Sequence, residues 1–377
     1  MKNGKRLRIG MLGLYGMPLP ELHFTGFETA FGEIAPRLAA AGHEVTVYCR
    51  RSHYPTRLRV PEFQGVRMRY VPSPGGKSFS ALVATWFATL HALVFGRYDL
   101  FFFVNVGMGH HAAVCRAFGA RVVMNVDGLD WERGKWGLFG RAYFRSAARS
   151  ATRFCNRLIT DAEAMRKIYL ERFGKDTTMI AYGAYVESSE QPELVRGFGV
   201  EPGDYYLVAG RLVPENNADL IIRGFLESGS SKKLVIAGGA NYESPFHRRL
   251  RDLATDRVIF TGHIHDQALL KELYCNSFAH LHGHSVGGTN PSLLRAMGYG
   301  ACVLAYDTVF NREVLADAGL YFPNDATSLA ALLSEVEAKS ELIMDLRQRG
   351  PKRISDRYSW DKVTREYEDI FYEVACR

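Results

Sequence analysis

One stretch constrains the fold more than any other: Ser277-Phe-Ala-His-Leu281, then His282-Gly-His-Ser-Val-Gly-Gly-Thr-Asn290, then Pro291-Ser-Leu-Leu-Arg-Ala-Met297. The short apolar run predicts a buried strand, and the last segment predicts the opening turns of a helix. Asn290 suits an N-cap, and Pro291 suits the first helical position, where a missing N–H costs nothing. Gly287 and Gly288 let the main chain come close to a ligand with no Cβ in the way. Free amides at such a helix start, together with the positive end of its dipole, make an anion site. A tight loop without a ligand satisfies the same local sequence, so the rest of the chain has to decide.

The same unit recurs along the chain. Arg6-Leu-Arg-Ile-Gly-Met-Leu-Gly13 predicts a strand running into a glycine turn, followed by a helix that turns Phe27, Phe31, Ile34 and Leu38 towards a core and a strand from His43 to Cys49. Further strands are expected over Tyr98 to Val106, Arg121 to Val126, Tyr205 to Gly210, Lys232 to Gly239, Arg257 to Gly262 and Cys302 to Tyr306. Strand alternating with helix predicts the α/β class with doubly wound parallel sheets, whose ligands sit beyond the strand carboxyl ends. A chain of 377 residues exceeds one ordinary core. Two such domains are therefore expected, 1–185 and 186–356, joined near Tyr182 to Glu190, with a terminal helix over about 357–377 that Tyr358-Ser-Trp360 opens. No G-x-G-x-x-G spacing is present, so no nicotinamide site is expected.

Charge divides the chain unevenly. Residues 1–185 hold 26 Lys and Arg against 13 Asp and Glu, a net of +13, whereas the remainder holds 21 against 27, a net of −6. That points to an anionic partner for the first half, such as a membrane surface, a nucleic acid or a phosphorylated acceptor. The six cysteines are scattered without a close pair, which fits neither a zinc site nor a disulfide framework and suggests a reducing compartment. The basic N-terminus lacks the apolar region of a signal peptide.

Within the basic half, Phe79, Leu82, Val83, Trp86, Phe87, Leu90, Leu93 and Val94 form a stripe at helical spacing. The run is shorter than the roughly 20 residues of a bilayer span. It predicts either a buried helix or a helix that touches a membrane. His110 and His111 follow a strand, where packing or a site is open to them. Asp127-Gly-Leu-Asp-Trp131 sits at another strand's carboxyl end, where carboxylates and aromatics are placed to hold a polar ring. Arg141, Arg145, Arg149, Arg153 and Arg157, spaced by four, predict one slanting basic ridge on a helix. That ridge is either a solvated face or a binder of lipid headgroups or of a diphosphate-bearing acceptor. Arg211, beside a glycine turn, is a candidate diphosphate clamp.

Taken together, these residues resemble a family 4 glycosyltransferase of the two-Rossmann-domain (GT-B) type, and more narrowly its bacterial rhamnosyltransferase-like branch. The resemblance spans nearly the whole chain. It rests on Gly26-Phe-Glu-Thr29, Gly42-His-Glu-Val45, Asn125-Val-Asp-Gly-Leu-Asp-Trp131, Ala181-Tyr-Gly183, Gly210-Arg-Leu-Val-Pro-Glu-Asn-Asn217, Gly238-Gly-Ala-Asn-Tyr242, Phe260-Thr-Gly262 and Gly283 to Met297. It implies retaining, metal-independent sugar transfer with no cofactor beyond a nucleotide-sugar co-substrate, here dTDP-L-rhamnose. The implied donor site draws on Gly26, Gly210, Arg211, Asn216, Gly238, His263, Ile264, Gly288, Thr289, Asn290, Ser292 and Arg295. The implied acceptor site draws on His110, Asp127, Asp130 and Trp131. Arg211 is expected to steady the leaving diphosphate and Asp127 to orient the acceptor or handle its proton. The acceptor implied is a lipid-diphosphate-linked saccharide or oligosaccharide of surface polysaccharide assembly. The expected place is the cytoplasmic face of a plasma membrane, held peripherally on anionic lipid.

The chain departs from the wider family at two places. Gly287 and Arg295 stand where that family carries two glutamates, the second of which contacts the nucleotide ribose, and Arg295 cannot accept that hydrogen bond. Asn216 stands where it carries lysine, although Pro214-Glu-Asn-Asn217 suits the rhamnosyltransferase-like branch. Two rivals follow. One is the same fold with a UDP- or GDP-sugar donor, and the other is a catalytically silent binding subunit. Nucleic acid is not an expected partner, since no recognised module accompanies the arginines.

Overall fold

The computed structural model describes residues 5–19, 21–22, 26–74, 79–126, 128–132, 136–239 and 245–376. The chain divides into two compact units, residues 1–182 with 360–377 and residues 183–359.

The first unit begins with β1 (Arg8–Leu12), α1 (Gly26–Ala40), β2 (Glu44–Arg50), the two-residue β3 (Glu62–Phe63), β4 (Val66–Val71) and α2 (Phe79–Phe95). It continues through β5 (Leu100–Val104), α3 (Gly109–Ala117), β6 (Val122–Asn125), α4 (Leu138–Phe154), β7 (Arg157–Thr160), α5 (Glu163–Phe173) and β8 (Thr178–Met179). The strands are nearly continuous apolar runs because a parallel sheet is covered on both faces; β5, Leu-Phe-Phe-Phe-Val, is buried throughout. The sheet order is β3-β4-β2-β1-β5-β6-β7-β8, parallel except for β3. The order reverses between β1 and β5, the place where doubly wound sheets hold ligands.

The second unit holds β9 (Tyr205–Ala209), α6 (Ala218–Glu227), β10 (Lys233–Ala237), α7 (Pro245–Asp252), β11 (Val258–Gly262), α8 (Gln267–Cys275) and β12 (Ala279–His282). Then follow α9 (Pro291–Gly298), β13 (Val303–Tyr306), α10 (Val309–Leu315), β14 (Gly319–Phe322), α11 (Ala326–Glu337) and α12 (Ser340–Arg357). Its sheet is parallel, ordered β11-β10-β9-β12-β13-β14, and reverses between β9 and β12. The core is aliphatic, with Leu220, Ile222 and Phe225 of α6 packed among Leu234, Ile236 and Leu304. The last helix, α13 (Trp360–Cys376), belongs to the first unit. There Tyr367 and Phe371 meet Phe102 ring to ring, and Tyr367 also meets Phe31. The buried Asn125 amide donates to the Tyr367 hydroxyl at 2.8 Å.

One expectation is corrected here and one is sharpened. The basic ridge carries four arginines and not five. Arg157 lies in β7, past the helix end, and forms an ion pair with Glu373. The stripe on α2 divides: Leu82, Val83 and Leu93 are half-buried, and Trp86, Phe87, Leu90 and Val94 are exposed. The buried face of α2 is Ala84, Thr85, Ala88, Thr89 and Ala92, all 2% exposed or less, while Phe87 and Leu90 are 46% and 51% exposed. Phe101 and Phe103 alternate on β5, and Phe103 stacks near His111, which in turn stacks with Trp86 of α2. The sheet thus brings its own bulk to this contact, and the helix fits it with small side chains. No helix among the described residues is long and apolar enough to cross a membrane.

Candidate functional site

The strand tips of the second sheet converge at the reversal. Gly210 follows β9 and Gly238 follows β10, and their backbones nearly touch: a Cβ on Gly238 would lie 1.8 Å from the Gly210 carbonyl oxygen. Gly210 N–H donates to Ala237 at 3.0 Å, and Gly238 N–H to Gly262 at 2.9 Å. Gly210 has φ of +153°. These contacts leave room only for hydrogen at Gly238, so glycine there is a packing requirement.

The loop after β9 is tied to the loop after β12. The Asn216 amide donates to the Arg211 carbonyl at 2.7 Å, and its Oδ1 meets His284 Nδ1 at 2.6 Å. Asn217, with φ of +51°, donates to the Gly283 carbonyl at 2.7 Å. Ser285 donates to the Glu215 carbonyl through both its N–H, at 3.0 Å, and its hydroxyl, at 2.8 Å. Asn311 of α10 donates to the His284 carbonyl at 2.9 Å. The loop is therefore held by polar side chains of the Pro-Glu-Asn-Asn run, and Arg211 is left exposed with no ion pair or side-chain hydrogen bond among the described residues. An unpaired guanidinium on a braced loop is free to meet an anion.

Beyond β12, Asn290 caps α9 as its sequence predicts, accepting from Ser292 N–H at 2.9 Å, with Pro291 at the first helical position. Thr289 is buried, and Gly287 has φ of +121°. Arg295 is tied to the start of α8, donating to Gln267 Oε1 at 3.2 Å. His263 and Ile264 lie past the tip of β11, where His263 stacks against His265 at 4.5 Å. Beneath the loop, His280 and His282 of β12 are buried with ring centroids 5.8 Å apart. Burial pushes His280 down to about 3 and His282 well below the usual imidazole range.

In the first unit, Gly26 opens α1, and a Cβ added there would meet nothing within 4 Å. Asp127 lies outside the described residues. His110 stands in the first turn of α3, its Nε2 3.0 Å from the Ser146 hydroxyl. Asp130 is buried and accepts from the Asn105 amide at 3.2 Å. Trp131 requires a correction. It is 1% exposed and wedged edge-on against Tyr169 and Phe173, so it offers no ring face to an acceptor.

The sequence reading missed a buried polar group at the tips of β1 and β2. Glu28 of α1 accepts from Tyr15 N–H at 2.8 Å. Arg50 lies 4.0 Å over the Tyr15 ring and donates to the Gly13 carbonyl at 3.2 Å. Burial pulls the Arg50 guanidinium below its usual value. The available signal was a charged residue closing an apolar strand. Among the described residues no group of His, Cys, Asp and Glu is arranged to hold a metal ion.

Comparison with known proteins adds family and fold. Residues 25–183 match the family model of the glycosyl transferase 4-like domain, and residues 193–353 that of glycosyl transferases group 1. No curated protein matches the chain significantly in sequence. Among solved structures, sucrose-phosphate synthase from Thermosynechococcus elongatus is similar with a TM-score of 0.82 at 17% identity, over 98% of this chain and 99% of that one. Anabaena HepE in complex with UDP gives 0.78 at 16%, over 97% and 100%. A glycosyltransferase from Rickettsia africae gives 0.74 at 14%, over 98% and 99%.

Proposed function

Because the chain belongs to the GT-B glycosyltransferases, with a family 4-like first domain and a group 1 second domain, we propose that it is a retaining transferase moving L-rhamnose from dTDP-L-rhamnose to a lipid-linked saccharide. The observation that carries the reading is the braced loop 210–217, which presents Arg211 unpaired while α9 opens with a capped helix start after the neighbouring strand. In this reading Arg211 and the amides of Gly288 to Asn290 hold the donor diphosphate. As the anomeric bond breaks, the negative charge grows on the leaving phosphate oxygen, and fixed donors stabilise it there. That oxygen takes the proton of the attacking acceptor hydroxyl, so no covalent sugar–protein bond is needed. Asn216, Gly210 and Gly238 keep the loop in place. His263 and Ile264 border the nucleotide, and Asp127 and His110 orient the acceptor.

Rhamnose rests on the resemblance of Pro214-Glu-Asn-Asn217 to the rhamnosyltransferase-like branch. A UDP-sugar donor is the second reading, favoured by the solved complexes of HepE with UDP and UDP-glucose. Arg295, which donates where the wider family accepts, also bears on the choice. It favours a nucleotide or diphosphate presenting an acceptor group at that place. The acceptor's lipid would bring the protein to the cytoplasmic face of a membrane, which suits the net charge of +13 over residues 1–185.

Calorimetric titration with dTDP, UDP and GDP, followed by their sugars, tests the proposal. Binding of dTDP with its rhamnose conjugate supports it, and binding of UDP alone moves it to the second reading. No binding to any nucleotide overturns the transferase reading in favour of a silent subunit. Arg211→Ala should weaken the bound nucleotide at least tenfold, since a charge-assisted contact is worth about 1.5–3 kcal/mol. Unchanged affinity in the folded variant would remove Arg211 from the site.

A further inference from the structure

Helix α2 is inverted relative to an ordinary surface helix. Its small and hydroxyl-bearing residues face the sheet, where Thr85 and Thr89 satisfy their hydroxyls on the Ala81 and Thr85 carbonyls at 2.8 and 2.7 Å. Its large residues face outward, with Val94 71% and Phe95 74% exposed beside Phe87 and Leu90. Large apolar side chains gathered on one exposed face mark an interaction site rather than a solvated helix.

They line a groove of about 700 Å³ at the outer edge of the first sheet. Tyr48 and Arg69 are paired residues on β2 and β4 and form its floor. Arg51, Arg59, Val60 and Pro61 form the far wall. The volume falls in the range of small-molecule sites, about 300–1,000 Å³. Among the described residues no acidic side chain lines it. Arg59 braces the far wall, its Nε donating to the Tyr54 carbonyl at 3.0 Å and a terminal nitrogen to the Arg51 carbonyl at 3.1 Å. The Arg51 and Arg69 guanidinium groups have no ion pair among the described residues, whereas Arg67 on the same strand pairs with Glu44 at 3.1 Å. Uncompensated cations beside an uncovered apolar wall are complementary to one chemistry, an anion attached to a hydrocarbon.

We propose that this groove binds the lipid diphosphate of the acceptor, with one hydrocarbon chain along Phe87, Leu90, Val94 and Phe95 and the diphosphate against Arg51, Arg59 and Arg69. This rests on the reading of a lipid-linked acceptor and adds the place where the lipid lies. Arg51 follows the last residue of β2, so the charged end of the groove lies toward the strand carboxyl ends, the side on which a doubly wound sheet binds its ligands. Phe95 ends a helix that crosses back between two parallel strands, so the apolar end lies toward the strand amino ends. The bound lipid therefore points its headgroup, and the saccharide beyond it, toward the ligand-binding side of the sheet.

The test is calorimetric titration of the full chain with farnesyl diphosphate below its micelle concentration, with inorganic diphosphate, and with phosphatidylglycerol vesicles. The expected result is that farnesyl diphosphate binds at least tenfold tighter than inorganic diphosphate, and that Leu90→Glu and Arg69→Glu each lose at least tenfold of that affinity. Nucleotide binding, measured on the same samples, should be unchanged in both variants. Equal affinity for the two diphosphates overturns the proposal. So does farnesyl diphosphate binding that survives Leu90→Glu, or binding to vesicles with none to the monomeric amphiphile, which would make the face a bilayer contact. Nucleotide binding without amphiphile binding removes the groove and leaves the transferase reading standing. Amphiphile binding without nucleotide binding does the reverse.

Discussion

Helices α2 and α6 each belong to a parallel-sheet domain and each carry an apolar stripe, yet they turn opposite faces inward. In α6 the stripe is buried: Leu220 is 5% exposed and Ile221, Ile222 and Phe225 are fully covered, while Arg223 reaches Asp219 on the outside at 3.5 Å. In α2 much of the stripe is outside and alanines and threonines are within. The difference comes from the partner sheets. On the α2 side the sheet brings aromatic bulk: Tyr48 of β2 meets His91 of α2 ring to ring, and Tyr98 stacks on Phe101. β9 and β10 offer Tyr206, Val208, Leu234 and Ile236, and Phe225 of α6 packs edge-on against the Tyr206 ring. Helical periodicity reports that a helix has one apolar face, and the volume opposite decides whether that face is needed inside.

The largest expected effect tests the α6 side of that comparison. Phe225→Ala removes a fully buried ring and leaves a cavity, a change that costs about 3–5 kcal/mol. Urea unfolding should show the midpoint falling accordingly; a loss below about 1 kcal/mol would mean that the second core is not organised around α6. Next comes Gly238→Ala. Its Cβ would lie 1.8 Å from a backbone oxygen, which cannot rotate away, so about 3 kcal/mol is expected. Gly26→Ala, where nothing lies within 4 Å, should be neutral within about 0.5 kcal/mol. Thermal melts of the two variants side by side check both, and similar shifts would refute the close approach of the strand tips.

A third effect comes from histidines that both domains bury. The second hides His280 and His282 neutral beneath its loop, with His280 pushed to about 3, and the first buries His111, pushed to about 4. An unfolded histidine titrates near 6.5. Between these values the unfolded chain binds protons that the folded chain refuses, so stability rises with pH there and is lost as pH falls below about 6.5. At pH 5 His280 costs about 2 kcal/mol relative to neutral pH, from 1.36 kcal/mol per unit. His280→Leu should reduce the loss seen between pH 7 and pH 5 in denaturant titrations by about 2 kcal/mol, with the shares of His111 and His282 remaining. An undiminished loss would assign the acid sensitivity elsewhere.

Much of this architecture was legible in the sequence. The strand–turn–helix repeats, the cap at Asn290 and the helix from Phe79 to Phe95 follow from short-range rules, since each is set by residues within a turn or two. What was not legible depends on residues far apart. Trp131 reads as a surface aromatic until Tyr169 and Phe173 of α5 close over it. Arg157 continues a spacing of four, but the helix stops at Phe154 and the fifth arginine joins a strand. The pairing of Arg50 with Tyr15 and Gly13 joins strand tips that are far apart in the chain and cannot be counted from local pattern. The loop 210–217 is partly of this kind too: Asn216 meets Arg211 within the loop, but also His284, far away in the chain.

The smallest expected effect bears most directly on α2. Leu90 is 51% exposed and its stripe contributes little to the core, so Leu90→Ser should change the unfolding free energy by less than about 0.5 kcal/mol. Ala88, two positions earlier and 2% exposed, is the internal control, since Ala88→Leu forces a larger side chain between helix and sheet and should cost about 1–3 kcal/mol. The pair inverts the usual rule, in which cutting a leucine in an apolar stripe harms a helix and enlarging an alanine beside it is mild. If Leu90→Ser proved the costlier of the two, the stripe would be core and the groove beside it closed in solution. If the order holds, the large apolar residues of α2 are not needed for folding, as the proposed groove beside Arg51 and Arg69 requires.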